Sequence, residues 1–194
     1  YKPQRGERPL WDFPDGTLYL REYAAFVISQ ALGWQLVPPT VLREGPYGKG
    51  SVQLYIDADP ESHFFNLRDQ YPAEFQRVAL FDVLVNNADR KSGHCLRDRT
   101  GHIWCIDHGL TFNAEPKLRT VIWDYAGQPI PKHLLDDLRA LEAQCEKATD
   151  FLKTIERLLL PQEVNMLCVR LKKLLETRHF PQPGKGRHVP WPLI

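Results

Sequence analysis

Apolar positions along this chain follow two periods, and the change of period marks its parts. Over residues 18–32, Leu20, Ala24, Val27, Ile28 and Ala31 recur at helical spacing, and Gly33 is placed to end the helix. Residues 72–85 repeat the pattern, with Phe75, Val78, Ala79, Phe81, Leu84 and Val85 predicted to face inward. Three further helices are predicted over 131–145, 148–160 and 162–177. Elsewhere short β-rich runs take over. Residues 1–3 read as the end of a strand and 40–42 as a short strand after Pro38 and Pro39. Residues 51–56 alternate and form the returning strand, across a turn at 45–50. Residues 95–96 and 102–106 predict a hairpin whose turn is Asp98-Arg99-Thr100-Gly101. Polar stretches at 5–16 and 57–62 read as loops, and the Pro- and Gly-rich tail 180–194 is expected to anchor on the body through Trp191.

The order is strand, helix, two strands, then a mostly helical half carrying a central hairpin. It predicts an α+β fold with segregated parts rather than an alternating βαβ pattern. The expected division is a small β-rich lobe at 1–58 and a mostly helical lobe at 59–194. The chain opens at Tyr1 inside a strand, so the small lobe is expected to be truncated at its start. The length of 194 residues suffices for two small lobes with a core. Apolar residues at 43% and charged residues at 25% describe an ordinary globular protein, and a net charge of +1 gives no argument for a nucleic-acid partner. No run reaches the length of a membrane span, which leaves peripheral membrane contact, and no signal peptide is visible. Four cysteines without a CxxC pair fit a reducing, cytoplasmic setting.

Two carboxylates turn the picture from fold to chemistry. Asp89 sits in Val85-Asn86-Asn87-Ala88-Asp89-Arg90-Lys91-Ser92-Gly93-His94, on a loop after a helix. Asp107 sits in Trp104-Cys105-Ile106-Asp107-His108-Gly109-Leu110, ending a strand just before a glycine. The pair suits phosphoryl transfer: one carboxylate takes or orients the proton of an attacking hydroxyl, and the other holds a divalent metal against the phosphates. Such a site also needs a cation on the phosphates and a carboxylate to hold that cation. Lys2 near a strand end and Glu22 on the first helix are the candidates, although spacing alone reads them as a solvated terminus and a surface charge.

Six segments in order carry a resemblance: Tyr1-Lys2-Pro3, Arg21-Glu22-Tyr23-Ala24-Ala25-Phe26, Val37-Pro38-Pro39-Thr40, and the stretches 50–56, 81–90 and 106–112. Together they resemble type II phosphatidylinositol 4-kinases. The chain is more similar still to small bacterial proteins of the phosphatidylinositol 3- and 4-kinase-like family, a likeness running to Pro190-Trp191-Pro192. The resemblance implies a bilobal, protein-kinase-like fold and an ATP-dependent phosphotransferase using Mg2+ or Mn2+. It implies Lys2 on the α- and β-phosphates with Glu22 paired to it. Gln53, Tyr55, Ile56 and Asp57 would lead into and form a hinge whose backbone bonds adenine. Asp89, with Arg90 beside it, would be the catalytic motif, and Asp107 the metal ligand. Asp82 also aligns and reads as a structural carboxylate bonding the catalytic-loop backbone.

The chain departs from that pattern twice. His94 stands where the lipid kinases carry an asparagine, and a neutral imidazole suits magnesium poorly beside an amide or carboxylate oxygen. The expectation is that His94 binds a softer metal such as manganese, or that the site uses one metal, or that activity is weak. A phosphate-covering loop is expected upstream of Lys2. The hydroxyl acceptor stays open between a lipid headgroup and a protein serine or threonine. Two alternatives stay open as well: a degenerate kinase acting as a nucleotide- or partner-binding module, and an AMP-transferring enzyme on the same fold.

Other signals read as structure. Gly48-Lys49-Gly50-Ser51 looks like a phosphate loop, but a strand follows and a hairpin turn explains it. His94, Cys95, His102, Cys105 and His108 crowd together without the spacing of a zinc finger, and the two cysteines read as small buried hydrophobes. Trp11, Trp34, Trp104 and Trp123 read as packing residues. Arg170, Lys172, Lys173 and Arg178 form a basic helical face, open between a solvated surface and an anionic membrane contact, with Glu163 and Glu176 weakening the second.

Overall fold

The computed structural model describes residues 1–145 and 149–194. A three-stranded antiparallel sheet forms its first part, in the order β1 (Lys2–Pro3), β3 (Gly48–Gln53), β2 (Thr40–Gly45). A side chain on Gly50 would meet the Lys2 carbonyl oxygen at 2.5 Å and Pro3 Cα at 2.8 Å, so only glycine lets β1 lie this close to β3. The glycines here serve the hairpin that the pattern predicts, and Gly50 also seats the strand that carries Lys2. The strands are shifted from their expected bounds because Gly45 pairs with Gly48, which compresses the turn to Pro46 and Tyr47. Pairing with β2 ends at Gln53, and the Leu54 N–H turns to the Pro39 carbonyl at 2.8 Å.

Helix α1 (Leu18–Ala31) packs against β2, β3 and the later helix α5 (Asp150–Leu158). Its start is capped from outside: the Glu7 carboxylate accepts the N–H groups of Leu18 at 3.3 Å and Tyr19 at 3.1 Å. Its buried face combines Ala24, Ala25 and Ile28 with Arg21, Glu22 and Ser29. Arg21 donates to the Thr111 carbonyl and to Glu163, both at 2.6 Å, which ties α1 to the helical half.

That half contains α2 (Phe64–Leu67), α3 (Pro72–Val85), the hairpin β4 (Cys95–Arg97) and β5 (Ile103–Cys105), then α4 (Lys132–Cys145), α5 and α6 (Pro161–Thr177). Phe64, Phe75, Phe81, Leu84, Leu134 and Leu138 are fully buried. Each such side chain contributes roughly 1.5–3 kcal/mol against exposure. α3 matches its predicted span and ends on Asn86 in the left-handed region (φ +52), a conformation asparagine tolerates. The predicted helix 148–160 is realised as α5, and its first residue, Ala148, lies outside the described residues. No helix among the described residues is long and apolar enough to cross a membrane.

Two tryptophans depart from expectation. Trp11 is 92% exposed, with the Lys117 ammonium 5.1 Å from its ring centre, and Trp191 is 76% exposed. Backbone carbonyls anchor the tail instead. His188 O accepts the Thr120 N–H at 3.1 Å and the Trp123 indole N–H at 3.0 Å, and Leu193 O accepts the Ser92 N–H at 2.8 Å. A proline-rich segment lacks donors but keeps every acceptor, so it binds the body through its oxygens.

Candidate active site

Strand β1 presents Lys2, α1 presents Glu22, and the segment after β5 presents Asp107. Lys2 Nζ donates to Glu22 Oε1 and, at 2.7 Å, to Asp107 Oδ1. The second Glu22 oxygen accepts the His108 backbone N–H at 3.0 Å, so one carboxylate joins the ammonium to the Asp107 loop. Burial pushes the Glu22 carboxyl up, and Lys2 pulls it back only in part. Burial also disfavours the Lys2 ammonium, but Glu22 and Asp107 outweigh it and raise its pKa. Asp107 has φ +63, a strained conformation for a residue with a side chain. Burial would raise its carboxyl; Lys2 leads the cations that hold it below the usual range.

Asp89 sits on the loop that follows α3. Its backbone N–H donates to Asn87 Oδ1 at 3.0 Å, and Asn87 Nδ2 donates to Asp82 Oδ1 at 2.9 Å. Beneath the loop, Asp82 and Arg90 are both fully buried. Arg90 Nε lies 3.1 Å from each Asp82 oxygen, and Arg90 Nη2 donates to Asp82 Oδ1 at 3.0 Å. The same guanidinium donates to the Ile106 carbonyl at 3.0 Å and to His108 Nε2 at 2.7 Å. It therefore clamps the Asp89 loop to the Asp107 loop from below. This placement corrects the expectation of a catalytic Arg90: a guanidinium spent on a buried carboxylate and on carbonyls inside the body does not reach a substrate. The Asp82 carboxylate, for its part, binds the side chains of Asn87, Arg90 and Thr120, not the loop backbone.

Lys2, Glu22, Asp89 and Asp107 line one cavity of about 320 Å³. Burial raises the Asp89 carboxyl, while Lys91 at 3.4 Å and, more weakly, Arg187 oppose the shift. The two carboxylates are thus pushed in opposite directions, Asp89 up and Asp107 down. His94 lies beside the pair, with Nε2 3.4 Å from Asp107 Oδ2. Burial, then Arg90, lowers its pKa to about 4, so the ring is neutral at physiological pH. His94 Nδ1 faces the Lys91 N–H at 3.4 Å. With Nδ1 accepting, the ring proton sits on Nε2, on the side of the ring nearer Asp107.

Among the described residues, no group of three His, Cys, Asp or Glu side chains is arranged to hold a metal ion. Two carboxylates on an open cavity still fit Mg2+, which takes one or two carboxylates and completes its shell with water and substrate phosphates. Gln53, Tyr55, Ile56 and Asp57 do not line this cavity. Gln53 donates to Thr40 Oγ1 at 3.0 Å, Tyr55 is 87% exposed, and Asp57 pairs with Arg99 at 2.6 Å. No hydrogen bond among the described residues engages the backbone N–H of Tyr55, Ile56 or Asp57.

Two cations near the site were not legible in the sequence. Arg8 lines the cavity with no carboxylate partner among the described residues, aimed there by its neighbour Glu7 at the start of α1. Arg187 approaches Asp89 because the tail is pinned to Thr120, whose neighbours Arg119 and Val121 bond the Arg90 backbone. A polar loop and a proline-rich tail carry no periodic signal that would have marked either.

Residues 43–170 match the family described as phosphatidylinositol 3- and 4-kinase. Protein Rv2133c of Mycobacterium tuberculosis is 37% identical over the whole of this chain and 82% of its own length. Phosphatidylinositol 4-kinase gamma 4 of rice (Oryza sativa subsp. japonica) is 30% identical across 55% of this chain, which spans 22% of that protein. Among solved structures, the Helicobacter pylori proinflammatory kinase CtkA superposes with a TM-score of 0.53 at 14% identity, covering 86% of this chain and 82% of that one. The last likeness is one of fold and establishes the α+β, kinase-like architecture.

Proposed function

The chain belongs to the phosphatidylinositol 3- and 4-kinase family, and on that premise we propose that it transfers the γ-phosphoryl group of ATP to a hydroxyl. The reading divides the molecule into a small lobe of residues 1–58 and a helical lobe of 59–194. One arrangement carries it: Lys2 held between Glu22 and Asp107, with Asp89 on the same cavity.

In this mechanism Lys2 and the unpartnered Arg8 neutralise phosphate oxygens, and Glu22 keeps Lys2 in place. Asp107 would hold Mg2+ or Mn2+ beside Asp89, and the ion would supply positive charge to the phosphates. His94 stands beside Asp107 as a neutral ring. Asp89 takes the proton of the attacking hydroxyl, a role its raised pKa suits. The hydroxyl oxygen bonds to the γ-phosphorus as the bond to the β,γ-bridging oxygen breaks, and ADP leaves. The free N–H groups of Tyr55, Ile56 and Asp57 are the proposed donors to adenine. The name of the rice relative makes a phosphatidylinositol headgroup the first acceptor to assay, with a protein serine or threonine second.

The test follows both ends of the nucleotide. With Mg2+ and then Mn2+, label on the γ-phosphate should reach an acceptor, and Asp89→Asn and Asp107→Asn should each stop it. Transfer of label from the α-phosphate would replace the reading with AMP transfer. A second reading, a degenerate kinase that binds nucleotide without chemistry, draws on the neutral His94 ring, which suits magnesium poorly beside an amide or carboxylate oxygen. It predicts nucleotide binding by calorimetry with no ATP consumed under either metal.

A further inference from the structure

On the helical half, away from the carboxylates, a groove of about 520 Å³ runs between α3, α6, the segment 114–118 and the start of the tail. One face of α6 supplies much of it: Met166, Val169, Arg170, Lys173, Leu174 and Thr177 follow helical spacing. Phe180 and Leu118 continue the apolar lining. The volume is that of a small-molecule site.

The charges in the groove do not balance. Among the described residues its lining contains Arg170 and Lys173 and no carboxylate. Arg170 Nε donates to the Leu84 carbonyl at 2.9 Å and Nη1 to the Asn113 carbonyl at 3.4 Å, while Nη2 is buried with no acceptor. The carboxylate that most favours its charge, Glu163, is already held by Arg21 at 2.6 Å and by the Leu160 N–H at 3.0 Å. Burial accordingly lowers the Arg170 pKa to about 10. A guanidinium buried among neutral carbonyls with an idle donor lacks a counter-ion.

We propose that this groove is a second ligand site, for a single-chain apolar molecule with an anionic head, a long-chain fatty carboxylate. The chain lies along Met166, Val169, Leu174 and Phe180, and the carboxylate sits at Lys173 on the rim, in the field of the recessed Arg170 guanidinium. A bilayer surface fits less well, because the unsatisfied cation is recessed and a headgroup meets only the exposed Lys172 and Lys173. The groove reaches the end of α3 that leads into the Asp89 loop. Asn86 lies in its lining, bonds the carbonyls of Asn113 and Glu115 at 2.9 and 2.7 Å, and stands three residues before Asp89. The inference is independent of the proposed phosphoryl transfer, since binding is read without turnover.

Calorimetry on the full chain with monomeric dodecanoate and with dodecanol of equal length separates head from tail. Dodecanoate should bind once per chain and at least about tenfold more tightly than dodecanol, the worth of one charge-assisted contact. Arg170→Gln should remove that preference. Because Arg170 also holds two backbone carbonyls, Val169→Asp, on the half-exposed rim, serves as the second variant and should abolish binding with thermal stability unchanged. Equal binding of the two probes overturns the proposal. So does dodecanoate binding that survives Val169→Asp, or binding to phosphatidylserine vesicles without binding to monomeric dodecanoate.

Discussion

The Asp82 knot and the Asp107 cleft are built from the same pieces, carboxylates facing cations, and they differ in how completely those pieces are satisfied. Asp82 is fully buried and spends both oxygens on Arg90, with Asn87 and Thr120 filling what remains. Asp107 keeps a half-open carboxylate and Asp89 a quarter-open one on a cavity, and Asp107 holds a strained backbone to do so. A saturated carboxylate positions the chain, and an unsaturated one has capacity left for a ligand. Asp82 and Asp89 lie in the same segment, 81–90, so motif membership does not separate them; satisfaction does.

The sharpest way to break this comparison is to neutralise the open carboxylates. Asp89→Asn and Asp107→Asn should each lower ATP turnover by roughly 10²–10⁴-fold, with little change in melting temperature, since asparagine also tolerates a positive φ. Wild-type turnover in either variant would place the chemistry elsewhere. Asp82→Ala should do the opposite: about 3–5 kcal/mol of stability lost by urea titration, with activity falling only as the folded fraction falls. Paired replacement of Asp82 and Arg90 by leucine should recover part of that loss. A single Asp82→Ala that melts like wild type would show the knot to be dispensable.

A pH profile sharpens the comparison further. Burial raises the Asp89 pKa, so the acid limb of kcat/KM should lie above the ordinary aspartate range while Asp107 stays ionised through it. Lys91 opposes that shift, so Lys91→Met should move the limb to higher pH. The folded chain binds the Asp89 proton more tightly than the unfolded chain does. Its contribution to stability is therefore fully present below the unfolded pKa and is lost as pH rises through the raised value. The smallest effect expected is that of Arg187→Ala, which should move the limb the same way but by less, because Arg187 opposes the shift less than Lys91 does.

Much of the fold was legible because it is written locally. Helix α3 was readable to the residue, from Pro72 at its start to Asn86 past its end. The hairpin turn at Asp98 was equally plain, since its carboxylate collects the N–H groups of Thr100 at 2.8 Å and His102 at 3.0 Å. The fates of Trp11, Trp191 and Arg90 were not legible: an aromatic or a charge has the same one-dimensional appearance whether it is buried or exposed.

From the order of residues alone came the helices, the strands and the two polar loops that carry Asp89 and Asp107, since periodicity, caps and turns act over a few neighbouring positions. Only the folded chain decided that Lys2 meets Glu22 and Asp107, that Arg90 turns inward to Asp82, and that Arg170 is left without a counter-charge. The partners of a charge are chosen by burial and by the distances that packing imposes, and those link segments far apart in the chain.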